Sequence, residues 1–157
     1  LQTCHRTRSP MLAALSYDGR VELAPREPLD GLVIALVNGH QGRDKGLGPA
    51  LGPGATRALA RLGRALGYEA LDAPSDWDLG PDQAALQEAL IGGWADAARE
   101  QVSDAPGLDP DGLMRRLGSI DRWRDARLGH VAAGRSRLQV GHQDLLLLPP
   151  TSVPPHS

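Results

Sequence analysis

Apolar residues along this chain form one continuous run near each end and a set of helical stripes between them. The first run covers residues 10–17 (Pro-Met-Leu-Ala-Ala-Leu-Ser-Tyr). Unbroken apolar runs of this length mark strands buried on both faces, as in parallel sheets. Asp18-Gly19 then predicts a turn, with Val21 and Leu23 on a short antiparallel return. Asp30 stands where an N-cap belongs, ahead of Val33, Leu36, Val37 and His40 at helical spacing. Glycines 39, 42, 46 and 48, with Pro49, end that helix in a loop. After Gly54, Leu59, Leu62 and Leu66 make a second stripe, closed by Gly67. Residues 68–73 are short and β-like, and residues 75–78 (Ser-Asp-Trp-Asp) form a loop.

Pro81 opens a third helix, with Leu86, Leu90, Trp94, Ala97 and Ala98 on its apolar stripe. Asp109-Pro110 opens a fourth, carrying Leu113, Leu117, Ile120 and Leu128. The last β-like segment spans residues 137–148 and is interrupted by Gly141-His142-Gln143-Asp144, which predicts a bulge or bend. The order is strand, two helices, strand, two helices, strand: an α/β pattern. About three strands fall short of the usual five or so, and the sheet looks like half of a larger one. Residues 1–149 read as one domain, and residues 150–157 as a disordered Pro/Ser tail.

Composition narrows the function classes. A chain of 157 residues with 41% hydrophobic and 23% charged content suits one soluble domain. A net charge of -2 suggests neither nucleic acid nor a membrane surface as partner. The basic run Arg122, Arg124, Arg127, Arg135 and Arg137 lies among aspartates and reads as a solvated face. No apolar stretch reaches spanning length. The single cysteine, Cys4, excludes an internal disulfide and fits a reducing, cytoplasmic compartment. His40, His130, His142 and His156 have no paired ligand spacing, so no metal site is expected. The chain starts at Leu1 within a polar segment, which suggests a piece of a longer protein.

Against this background the segment from Asn38 to Gly46 stands out, because it holds the only Asn and the only Lys of the chain. One Gly-rich stretch gathers an amide, an imidazole, a carboxylate and an ammonium, a mixture that packing does not require. A helical continuation would put His40 and Asp44 on one face, as base and orienting carboxylate, with Lys45 as a nearby cation. The competing reading makes Asp44 and Lys45 solvated loop charges and His40 a cap or core residue. Tyr17-Asp18 stands at the carboxyl end of the first strand, where open α/β sheets bind ligands; Asp18 is equally a turn former. Trp77 either lines a pocket or joins the core, and His142 and Asp144 either face the crevice or make a polar bulge. Gly46 to Gly52 follows a helix rather than a strand and contains Pro49, so it is a loop and not a nucleotide fingerprint.

Taken together, several motifs resemble the carboxyl-terminal half of a bacterial class I S-adenosylmethionine-dependent methyltransferase. They are Ser16-Tyr17-Asp18-Gly19-Arg20, Asn38 through Gly48, Ser75-Asp76-Trp77, Gly93-Trp94-Ala95 and Val140-Gly141-His142-Gln143-Asp144. The resemblance runs over residues 10–149. It implies a partial Rossmann-like methyltransferase sheet, with residues 11–17 similar to its fifth strand, the segment at Tyr68 to its sixth, and residues 137–148 to its antiparallel seventh. Helices between the last two would cover the sheet. The resemblance implies S-adenosylmethionine as cofactor, yet the family's glycine-rich loop and ribose-binding acid have no counterpart here. The implied cofactor-binding residues in this chain are therefore none, and the site is the acceptor side: Tyr17, Asp18, Asn38, Gln41, Lys45 and Trp77 for binding, His40 and Asp44 for catalysis. Imidazole titrates near neutral pH, which suits His40 to take a proton from the methyl acceptor.

Two functions compete. One is an incomplete methyltransferase acting on a small-molecule acceptor, its sheet edge meant for the missing amino-terminal half or a partner chain. The other is a non-catalytic module that binds a partner chain or small ligand. Aggregation on size exclusion favours the first, and a clean monomer or symmetric dimer the second. A hydrolase reading lacks a nucleophile motif.

Overall fold

The computed structural model describes residues 1–44, 46, 48–107 and 109–150. Among them, five α-helices and four strands build a mixed α/β fold around an open antiparallel sheet. Lys45 and the tail at 151–157, for which binding and disorder were expected, lie outside the described residues.

Strand β4 (Arg137–Leu148) is the centre of the sheet. It pairs antiparallel with β1 (Met11–Ala24) on one side. On the other it pairs antiparallel with β2 (Glu69–Pro74) and then β3 (Trp77–Leu79). The step from Pro74↔Gln143 to Trp77↔Val140 keeps the register, so β2 and β3 follow one lane. The predicted loop at 75–78 is thus half strand. On that side β4 keeps one register, with the ladder broken only opposite Ser75 and Asp76, at His142 and Gly141; the register shifts themselves lie on the other side, in β1, between Ala13 and Ser16 and between Tyr17 and Val21.

β1 corrects two further expectations. It does not turn back at Asp18-Gly19 but continues to Ala24. Nor is it buried on both faces: it is an edge strand, with Leu12 66% and Leu15 52% exposed. Its apolar run reflects a first bulge and two half-covered faces, not a parallel-sheet interior. Leu15 adopts φ 53° in that bulge, a left-handed backbone that costs a leucine about 1–2 kcal/mol. Leu15→Gly relieves it and loses little packing, so the variant should gain about 0.5–1 kcal/mol, read as a higher urea midpoint.

Alternation along β4 sends Leu138 and Val140 to one face and Leu145 and Leu147 to the other. The first face packs on α2 (Asp30–Gln41), α4 (Ala84–Ser103) and α5 (Pro110–Ala132), through Val33, Val37, Ile91, Ala98, Ile120 and Trp123. The second packs on α3 (Ala55–Ala65) through Ala60. A Cβ at Gly63 would stand 2.8 Å from Leu147, so glycine lets α3 lie close on the sheet. The remaining helix, α1 (Gln2–Thr7), precedes β1. The predicted helical stripes face the cores, through Val33, Val37, Trp94, Ala98 and Ile120, with two exceptions among the leucines. Leu62 and Leu86 are exposed, while Ala60, Gly63, Gln87 and Ile91 face inward. Small residues occupy the closest approaches, and the leucines flank them.

Asp109 caps α5 through the Gly112 amide, as expected. Asp30 is the first residue of α2 rather than its cap, and its carboxylate serves Arg127, Trp123 and the Glu27 amide. No described helix is long and apolar enough to cross a membrane.

Candidate functional site

The two irregularities of β1 each face a carboxylate. At the first, Asp144 accepts the Leu15 amide at 2.7 Å and the Ser75 hydroxyl at 2.7 Å. These bonds hold its carboxyl below the ordinary aspartate range. At the second, Asp18 binds the Arg20 side chain at 2.7 Å, and Arg20 reaches on to Asp76 at 2.9 Å. Asp76 in turn accepts the His142 amide at 3.0 Å. That bond first, and Arg20 second, lower the Asp76 carboxyl. The network ties β1 to the β2–β3 lane across the central strand.

Above this network lies a cluster of rings. Tyr17 pairs with His142 in the sheet, so both project to the face covered by α2. The Tyr17 hydroxyl donates to Asn38 Oδ1 at 2.8 Å, and Asn38 Nδ2 donates to the Gly19 carbonyl at 3.0 Å. Burial, aided by the Asp18 charge and against the Asn38 bond, pushes the Tyr17 phenol up to about 12. It stays a neutral donor at neutral pH. The Trp77 ring is centred 4.7 Å from the His142 ring, and Tyr17 meets His142 edge-on at 6.2 Å. The His142 Nδ1 donates to the Val140 carbonyl at 3.0 Å, which leaves Nε2 as the imidazole atom able to accept a proton.

The other expected site residues go elsewhere. His40 follows Asn38 by two residues, about 200° around the helix, and its Nε2 meets Glu100 at 2.8 Å. The helix ends at Gln41, so Asp44 does not share a face with His40. Asp44 instead accepts the Gly46 and Gly48 amides at 2.8 and 2.9 Å, and organises its own loop. Gln41 closes α2 beside Gly52, where a Cβ would lie 3.4 Å from the Gln41 carbonyl carbon. Tyr17, Asn38 and Trp77 are therefore brought together; Asp18 lies below them in the Arg20 network; His40, Gln41 and Asp44 follow the far end of α2. His142, Arg20 and Asp76 join the site without having been chosen from sequence as site residues. The signal for His142 was its parity: it falls on the same face as Leu138 and Val140, four and two residues earlier.

A groove of about 1030 Å³ opens beside this cluster. Gly19 to Ala24 of β1 and Gly31, Ile34, Ala35 and Asn38 of α2 line it, and it extends over residues 78–80 and 137–139; of the cluster, Asn38 is the member that lines it. Among the described residues, no group of three acidic, histidine or cysteine side chains is placed to hold a metal ion. No family model, curated protein or solved structure matches the chain.

Proposed function

We propose that this chain is the acceptor side of an S-adenosylmethionine-dependent methyltransferase that acts on a small molecule. The sheet carries the reading: β1 and β2 run parallel to each other, and the last strand lies between them reversed. A reversed last strand is what the methyltransferase resemblance requires of these segments. On this reading the acceptor meets Tyr17, Asn38 and Trp77, and His142 Nε2 is the nearby group able to accept its proton. Neutral Tyr17, fixed by Asn38, positions rather than ionises.

S-adenosylmethionine finds no cradle among the described residues. The glycine-rich loop follows α2 rather than a strand, and its Gly46 and Gly48 amides are already bound by Asp44. The cofactor would have to be held by polypeptide outside these residues. Calorimetric titration of this chain with S-adenosylmethionine should give a Kd weaker than about 1 mM. Micromolar binding would place the cofactor site within the chain and overturn that assignment. The coding sequence upstream of Leu1 tests the family: the expected result is an in-frame strand followed by an Asp/Glu-x-Gly-x-Gly loop, and its absence overturns the reading. The second reading, a non-catalytic module that binds a partner, is favoured by the unpaired outer edge of β1.

A further inference from the structure

β2 forms the other edge of the sheet, and its outer side has no strand to meet it among the described residues. The Ser75 amide donates to the His142 carbonyl at 3.0 Å, in the register that pairs Pro74 with Gln143. Backbone groups alternate sides along a strand, so residues 69, 71 and 73 bond β4, while Ala70, Asp72 and Pro74 turn theirs outward. Two observations agree with that count. Pro74, which has no N–H, falls on the outer side, where proline breaks no ladder bond. The Ala70 carbonyl is open to a side chain: Arg64 Nη2 donates to it at 3.4 Å. Leu71, between the two outward residues, pairs with Leu146 and is 47% exposed on the face away from α3. Ala70 and Asp72 pair with Leu147 and Leu145, so their side chains lie on the α3 face.

Charge selects the occupant of this edge. Among the described residues, Arg64 has no carboxylate partner and Asp72 no cation. Asp72 accepts the Gln143 side-chain amide at 2.9 Å. A second copy of β2, related by a two-fold axis normal to the sheet, would lie antiparallel along the edge. With Leu71 on the axis, Ala70 of each copy stands opposite Asp72 of the other and exchanges both backbone bonds with it. Each Arg64, held at the Ala70 carbonyl, then lies beside the other copy's Asp72, and the two Leu71 side chains meet on the opposite face. Other registers are worse. Centring on Asp72 sets two carboxylates face to face, and centring on Ala70 brings the two Arg64 side chains together. Centring on Ala73 puts Pro74 where a donor is needed. We propose that this chain forms a symmetric dimer through β2, with Leu71 on the two-fold axis and an Arg64–Asp72 contact between copies on either side of it. The outer edge of β1 stays free in this dimer, so either the dimer or the methyltransferase reading can fail without the other.

Sedimentation equilibrium of the whole chain should show a monomer–dimer equilibrium with a Kd of about 100 µM or tighter, as suits a short strand pairing. Arg64→Asp and Asp72→Arg each place like charges side by side on both sides of the axis, and each should weaken the dimer at least about 10-fold. Mixed in equal amounts, the two variants should recover a mixed dimer within about 3-fold of the wild-type Kd. Variants that merely loosen the fold would not recover on mixing. Leu71→Asp should weaken the dimer at least about 10-fold, whereas Leu12→Asp on the β1 edge should not. If Leu71→Asp loses its native circular dichroism, the Arg64 and Asp72 variants carry the test. Leu71→Cys in a Cys4→Ser background should form an intermolecular disulfide with oxidised glutathione, because the two Cα atoms would stand about 4.5 Å apart; Leu12→Cys should not. A Kd weaker than about 100 µM overturns the proposal. So does a dimer indifferent to the charge variants, a mixture that stays monomeric, or a missing disulfide at position 71. A dimer lost in Leu12→Asp but kept in Leu71→Asp would place the contact at β1 and overturn it as well.

Discussion

Replacing Asp30 with alanine should remove about 3–5 kcal/mol of stability, read from urea unfolding at pH 7. The reason is Arg127, whose side chain is 0% exposed. Its guanidinium donates Nε to Asp30 Oδ1 at 2.9 Å, Nη2 to the other carboxylate oxygen, and Nη1 to the Pro25 carbonyl at 2.6 Å. Trp123 Nε1 adds a bond to the same carboxylate at 2.8 Å. An arginine cannot shed its proton to escape burial, so loss of Asp30 strands a charge in the interior. Asp30→Leu combined with Arg127→Met removes both charges and should recover most of the loss; if it does not, packing rather than charge explains the single variant. Burial works to raise the Asp30 carboxyl, but the Arg127, Glu27 and Trp123 bonds outweigh it and hold it below its ordinary value. A lowered folded-state pKa stabilises above the unfolded value of about 3.9 and is lost as pH falls through the folded one. Wild type should therefore lose stability below about pH 4 more steeply than Asp30→Asn does.

The element order was legible because each helix and strand carried its own periodicity and its own stops. Pro110 after Asp109 opened α5, and Gly67 with φ 82° closed α3, as their local chemistry dictates. What failed was pairing. The residue 10–17 run suggested a buried parallel strand, because an apolar run does not say which neighbours cover it. Covering is set by α2, α4 and α5, which reach only as far as His142 on their face of β4. Leu12 pairs with Leu146, and Leu71 pairs with Leu146 from the other side. That row therefore lies on the same face beyond the helices, with Leu12 and Leu71 66% and 47% exposed. Trp77 was assigned to a loop because Ser75 and Asp76 precede it, yet β4 is long enough to pair a second short strand in the same lane.

The site was legible in part for a similar reason. Tyr17 and Asn38 are 21 positions apart, and nothing local joins them; the resemblance grouped them, and a hydrogen bond unites them. The grouping of His40 with Asp44 assumed that the helix continued. Gly42 ends it, and the Asp44 carboxylate finds nearer donors in Gly46 and Gly48. His142 went unchosen because a polar residue in a strand reads equally as a bulge. Its burial follows from β1 bulging instead, which leaves β4 straight and the imidazole under α2. A bulge that moves from one strand to its partner changes no residue's type, only which side chains face each other.

That bulge makes Gly141→Ala the second sensitive test. Gly141 is buried on β4 opposite the irregular stretch of β1 between Tyr17 and Val21. A Cβ there would stand 2.8 Å from the Arg20 Cβ, and nearer still to the Asp18 carboxylate. Arg20 Cβ is fixed to the backbone, so the strand itself must move. Overpacking of this kind costs about 1–3 kcal/mol, and the upper half of that range is expected because the Arg20 clash is with a Cβ fixed to the backbone rather than the end of a flexible side chain. The carboxylate contact is separable from the backbone contact. Asp18→Gly in the Gly141→Ala background removes the first and leaves the second. Recovery in that double variant of no more than about 1 kcal/mol would assign the strain to the Arg20 backbone. Displacing Arg20 also pulls it from Asp76, which holds the His142 amide, so the amide resonances of Asp76 and His142 should shift together. If the variant unfolds at the wild-type urea midpoint with those resonances unmoved, β1 does not bulge over Gly141. The register that brings Tyr17 beside His142 would then be wrong as well, since the same bulge sets both.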